Sequence, residues 1–169
     1  MDTFEAIATK LDIREFSPKS VSAEIKKKVL EAARLTASGI NSQHWRFILV
    51  DGSTELRKLA MDSTSGQWVA GANFAIIILT NPKYNFHLFD AGRAVQDMQL
   101  AAWNYGIVSR VYTGVNKEGM AKDFGVPSWM NISAVLGFGH PVRKIIGRKN
   151  RKPLEELAFS GRFGQKLRV

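Results

Sequence analysis

Apolar and polar positions along this chain alternate between a helical and an extended period. Phe4, Ile7, Ala8 and Leu11 recur at i, i+3, i+4 and i+7, predicting a helix over residues 3–11 with Asp2 and Glu5 as a capping box. Ser22 is placed to cap a second helix, which carries Ile25, Val29, Ala32, Ala33 and Thr36 on one face and runs to Gly39. Residues 45–50 read as a strand closed by the turn pair Asp51 and Gly52, after which Ser53 caps a helix bearing Leu56, Leu59 and Ala60. Beyond a break at residues 63–66, Gln67, Trp68 and Val69 lead into an unbroken apolar run at 74–80, a strand to be covered on both faces.

Residues 86–105 have a helical period but are apolar nearly all round, from Leu88 and Phe89 to Ala102 and Trp103. Such a helix needs burial on every side, at the centre of the domain or against a partner, and in a small chain part of it suits a dimer interface. Gly106 ends it, and 107–113 form a strand. Asn116 caps a helix with Met120, Ala121 and Phe124 that stops at Gly125 and Pro127, and 132–138 form a last strand. The interleaving, without repeat or linker, predicts one α+β domain over residues 1–169 with a central mixed sheet.

Composition narrows the function. No apolar run is long enough to span a membrane and the amino terminus lacks a signal-peptide pattern, so a cytoplasmic protein is expected. The chain has no cysteine, and His44, His87 and His140 lie at no ligand spacing, so no metal site is expected. The net charge of +9 fits nucleic acid, an acidic membrane surface or a phosphorylated small molecule. Its location is more informative: six of the ten residues from 143 to 152 are basic. That stretch lacks interleaved aromatics and any nucleic-acid motif, so nucleic acid is not the expected partner. Lys26, Lys27 and Lys28 read as a solvated helix face.

Residues 37–45 join a helix to a buried strand. Ser38 and Gly39 allow close backbone approach, while Asn41, Ser42 and Gln43 gather amides and a hydroxyl ahead of Trp45. The stretch reads either as a cofactor-holding loop or as a helix C-cap with a polar connection. Arg14, between Ile13 and Phe16, is either a fixed donor to an anionic ligand or a partner for Glu15 or Asp12.

In order and spacing, several segments together resemble the FMN-dependent nitroreductase family. They are Arg14-Glu15-Phe16, the loop from Ser38 through Asn41, Ser42 and Gln43 to Trp45, the long helix ending Ala102-Trp103-Asn104-Tyr105-Gly106, and Lys149 and Arg151 before Pro153-Leu154-Glu155-Glu156. The resemblance implies an α+β sandwich, with a mixed, mainly antiparallel sheet flanked by helices. It also implies an intertwined homodimer that binds FMN across its interface, and NADH or NADPH as donor to a quinone, a nitroaromatic or a similar small-molecule acceptor, by a ping-pong cycle. Carried over by position, Lys10, Asp12 and Arg14 face the flavin phosphate, ribityl chain or pyrimidine edge. Ser38, Gly39, Asn41 and Gln43 lie along the flavin, and Gln67 lies at its pyrimidine. The Gly114 backbone sits near N5, and Lys149 and Arg151 close on the phosphate. Arg14 and the Gly114 N–H are the groups expected to influence the reaction itself, because reduced flavin bears negative charge that a fixed cation favours.

The chain departs from the family at Leu11, which replaces a base, and at Asp12, which replaces a small hydroxyl residue. Ala37 and His44 stand where proline is common, and His44 either reaches the mouth of the site or packs beside Trp45. Other flavin chemistry on the same scaffold, such as flavin fragmentation or reductive dehalogenation, and non-catalytic binding of FMN or nucleic acid are the alternative readings.

Overall fold

The computed structural model describes residues 2–169. The chain runs through α1 (Thr3–Thr9), α2 (Ala23–Leu35), β1 (Arg46–Asp51), α3 (Ser53–Met61), β2 (Phe74–Thr80), α4 (His87–Asn104), β3 (Val108–Tyr112), α5 (Lys117–Phe124) and β4 (Asn131–Gly139). Short 3-10 turns occupy Gly39–Asn41, Gln67–Gly71 and Leu154–Glu156. The strands form one sheet in the order β1-β2-β4-β3, every neighbouring pair antiparallel. The expected mixed sheet is thus antiparallel throughout its named strands, and parallel pairing is confined to an isolated bridge between Asp12 and Ser109.

The period-2 pattern of β2 divides the core. Phe74, Ile76 and Ile78 join Ala134, Leu136 and Phe138 of β4 in a cluster under α2 and α4. Ala75, Ile77 and Leu79 point the other way, into a second cluster with Leu56 and Leu59 of α3 and Met120 of α5. All seven residues of β2 are buried, as an unbroken apolar strand requires.

Caps locate most helix starts. Asp2 Oδ1 accepts from Glu5 N at 2.8 Å, Ser22 Oγ from Ile25 N at 3.3 Å, and Asn116 Oδ1 from Glu118 N at 3.1 Å. Ser53 is instead the first residue of α3, and Gly52, at φ +90, takes the cap position because the turn there needs a left-handed residue. Helix α2 stops at Leu35, short of Gly39, where Thr36 caps it and donates from Oγ1 to Asp97 Oδ2 at 2.6 Å. Residues 67–71 form a 3-10 turn rather than a direct run into β2.

Helix α4 is two-sided within the chain. Ala91, Ala94, Met98 and Ala102 are buried beneath α2 and the sheet, whereas Leu88 and Phe89 are 59% and 66% exposed. Its expected burial on every side is therefore not met by this chain alone. After β4 the chain has no regular structure apart from the Leu154–Glu156 turn and isolated bridges from Pro141 to Phe16 and between Phe159 and Lys166, and it exposes Ile146, Leu154, Leu157 and Phe163.

Candidate active site

Residues 10–14 lie along the β3 edge, held by Ile13 N donating to Ser109 O at 2.9 Å. The buried Lys10 turns its Nζ to Asp12 Oδ1 at 2.8 Å. Gln99 of α4 donates from Nε2 to the same oxygen at 3.0 Å and to Ser109 Oγ at 3.1 Å. Burial alone would push the Asp12 carboxyl up. The hydrogen bonds from Lys10 and Gln99, with the charges of Lys10 and Arg110, outweigh it and hold the group below the usual aspartate range.

The carboxy-terminal bases return to this point. Lys149 Nζ donates to Ile7 O at the end of α1. Burial, then the charges of Arg151 and Lys10, push its ammonium below the usual lysine range, and Asp12 pulls the other way. Lys10, Lys149 and Arg110 thus share one electrostatic neighbourhood around the Asp12 carboxylate, and Arg151 adjoins it through Lys149. Beside it opens a cavity of about 700 Å³ lined by Asp12, Arg14 and Glu15, by Arg110 on β3, and by residues 141–146.

The loop that follows α2 is a separate feature. Ile40, Asn41 and Gln43 all adopt positive φ, at 48°, 54° and 45°, a conformation costing non-glycine residues of the order of 1 kcal/mol each. What holds it is Asp90, fully buried on α4. Its Oδ2 accepts from Gly39 N at 3.0 Å and lies 3.2 Å from His44 Nε2. Ser38 Oγ accepts from Gln43 N at 3.0 Å, closing the loop on itself. The expected anchor, Trp45, is buried. His44 stacks on Tyr84 at 5.1 Å and packs by Trp45 and Phe86, so of its two readings the packed one is correct. A Cβ on Gly39 would lie 2.6 Å from the Phe86 ring, so packing within the chain already requires that glycine.

The remaining two positions lie elsewhere. Gln67 donates from Nε2 to Ser63 O at 2.6 Å within its own turn. Gly114 lies just past β3 and accepts from Thr64 N at 2.9 Å, and a Cβ there would fall 2.5 Å from Thr64 Oγ1 and Ser65 Oγ.

The predicted residues therefore fall into three groups: Lys10, Asp12, Arg14, Lys149 and Arg151; Ser38, Gly39, Asn41 and Gln43; and Gln67 and Gly114. The first two contact α4 at Gln99 and Asp90, nine residues and so roughly 13 Å apart along the helix. Sequence reasoning missed Arg110, Asp90 and Gln99. For Asp90 and Gln99 the signal available was a buried-face polar residue in an apolar helix, read there only as part of the apolar run; Arg110, on β3, carried no such signal.

The family description "Nitroreductase family" matches residues 7–72 and 58–140, nearly the whole span from α1 to the end of β4. The chain belongs to the nitroreductase family. An Archaeoglobus fulgidus relative with a provisional name as an NADH dehydrogenase/NAD(P)H nitroreductase is 31% identical over 150 residues, covering 83% of this chain and 86% of the relative. A Desulfovibrio desulfuricans structure, provisionally named a nitroreductase and solved in complex with FMN, aligns with a TM-score of 0.80 and 27% identity over 96% of this chain and 99% of its own. A Bacteroides thetaiotaomicron structure of the same fold gives 0.85, with 21% identity over 93% and 96%. The α+β fold is thus that of nitroreductases, and the candidate site is that of a nitroreductase-family protein.

Proposed function

We propose that this nitroreductase-family chain is an FMN-dependent oxidoreductase that takes electrons from NADH or NADPH and passes them to a nitroaromatic, quinone or similar acceptor. The observation that carries the reading is the gathering of Lys10, Lys149 and Arg110 about one ionised aspartate, with Arg151 beside Lys149, an excess of positive charge suited to a phosphate dianion. Membership of the family, and the FMN present in a 27% identical structure, support the same cofactor.

The residues present suit FMN in three respects. The cationic group fits its phosphate. The Ser38–Gln43 stretch offers amides and hydroxyls on a rigid, strained backbone, and the Ser42 hydroxyl within it is buried without a partner among the described residues. The cavity beside Arg14 is of ligand size. Bound FMN supplies hydride acceptance and donation at its N5.

The chain's own groups then have definable tasks. Lys10, Lys149 and Arg151 bind the phosphate, and Asp12, paired with Lys10 at 2.8 Å, competes with the phosphate for it. Arg14 places a cation where negative charge accumulates on reduction, and the Gly114 N–H orients the reacting edge. Gln67 meets the pyrimidine after releasing Ser63 O. Ser38, Gly39, Asn41 and Gln43 complete the site from a second copy of the chain. A homodimer accounts both for the separation of the loop from the basic cluster along α4 and for the exposed Leu88, Phe89 and Ile40. Reductant and acceptor use one position in turn, so the cycle is ping-pong.

Sedimentation with and without FMN tests the dimer, and initial rates against both substrates test the cycle. Parallel double-reciprocal lines are expected, and intersecting lines would refute the shared position.

A further inference from the structure

The cavity beside Asp12 carries more positive charge than one phosphate accounts for. Arg14, Arg110, Arg143 and Lys144 line it against the carboxylates Asp12 and Glu15. Among the described residues, none of these four cations forms an ion pair or side-chain hydrogen bond. Lys10 and Lys149 adjoin them through Asp12, and Arg151 through Lys149, bringing the local set to seven cations and two carboxylates. A phosphate dianion leaves that set still strongly positive, and Arg110 is half-buried, where unneutralised charge is more costly than in open water.

We infer that Arg143 and Lys144, with Arg110 behind them, form a second phosphate subsite, and that its occupant is the 2′-phosphate of the nicotinamide donor. This inference rests on the flavin reading and selects NADPH over NADH within it. The two nucleotides differ only by that phosphate, so a second dianion at the donor position is what distinguishes them. Residues 141–146 line the same cavity as Asp12 and Arg14, so a nucleotide that enters it meets Arg143 and Lys144. Arg143 and Lys144 are both exposed, so they are available to an incoming nucleotide and their removal leaves the core untouched.

The test uses the FMN-loaded protein and a variant carrying Arg143→Ala and Lys144→Ala. Bleaching of the flavin bands without oxygen gives kcat/KM for each donor, and calorimetry compares adenosine 2′,5′-bisphosphate with 5′-AMP. The wild type is expected to favour NADPH, and the bisphosphate, by tenfold or more. The variant should lose both preferences while its NADH efficiency and FMN affinity stay within about twofold. Equal use of both donors by the wild type would overturn the inference. So would a tenfold loss of FMN affinity in the variant, which would assign these cations to the flavin phosphate. If the protein takes up no FMN, the flavin reading falls and calorimetry alone decides the subsite: a tenfold preference for the bisphosphate that the variant abolishes upholds it, and its absence removes it.

Discussion

His44 Nε2 meets Asp90 Oδ2 at 3.2 Å, with the two side chains only 2% and 1% exposed. The Asn81 N–H points at His44 Nδ1 from 3.4 Å. With Nδ1 accepting from Asn81, His44 donates from Nε2, so one Asp90 oxygen accepts both the His44 Nε2–H and the Gly39 N–H. Asp90 thereby ties both ends of the Ser38–Gln43 stretch to α4. It supplies by hydrogen bonding the rigidity that prolines at positions 37 and 44 commonly give the family.

Asp90→Ala leaves the buried His44 Nε2 and the part-buried Gly39 N–H without an acceptor and removes the Arg93 ion pair at 3.5 Å, and should cost about 3 kcal/mol in chemical denaturation. Asp90→Asn, which keeps one acceptor oxygen, should cost about half of that. In both variants the positive-φ residues should relax and FMN should dissociate faster. An Asp90→Ala protein as stable as the wild type would show that the contact does not hold the loop.

Asp12→Ser tests the departure at the phosphate end. The change removes the carboxylate that competes with the phosphate for Lys10, so FMN should bind about tenfold more tightly. The buried Lys10 also loses its partner, so the flavin-free protein should melt at a lower temperature. Weaker FMN binding in Asp12→Ser would show that Asp12 serves as an acceptor for the ribityl chain more than it repels the phosphate.

Arg14→Ala, and Lys149→Ala combined with Arg151→Ala, should each lower FMN affinity by tenfold or more, since a charge-assisted contact is worth roughly 1.5–3 kcal/mol. Arg14→Ala should in addition make the bound flavin harder to reduce. Unchanged flavin content and potential in both proteins would remove these residues from the site.

Much of this architecture is legible in the sequence because burial and period coincide. The strand at 74–80 is apolar at every position but its last, Thr80, and buried at all seven, and Asp2, Ser22 and Asn116 cap the helices they precede. Helix α4 misleads for the converse reason. Hydropathy counts side chains without saying where they face, and here Leu88 and Phe89 face out while Asp90 and Gln99 face in. The partners that make those two polar residues stable inside are 46 and 87 positions away, at His44 and Asp12, beyond the reach of any local pattern. The phosphate end was legible as a basic run, but the convergence of its residues on Asp12 required the fold.

Tyr112 sets an alkaline limit to stability. Burial pushes its phenol up to about 12, with the Ser63 hydrogen bond opposing and the Asp62 charge adding. A pKa raised in the folded state gives stability that is complete below the unfolded value near 10 and is lost as pH rises through 12. Stability should therefore fall by the order of 2–3 kcal/mol between pH 10 and 12 from this group alone. Denaturation of Tyr112→Phe should show a shallower decline over that window, and an identical decline would assign the loss to other groups.

The visible absorption spectrum of the purified protein, recorded with FMN and then with NADPH or NADH in the absence of oxygen, bears most directly on the proposed function. Oxidised-flavin bands that remain with the protein through desalting, and bleach when the reduced nicotinamide is added, are the expected result. A protein that retains no FMN when supplied with it, or whose bound flavin neither nucleotide reduces, would contradict the assignment.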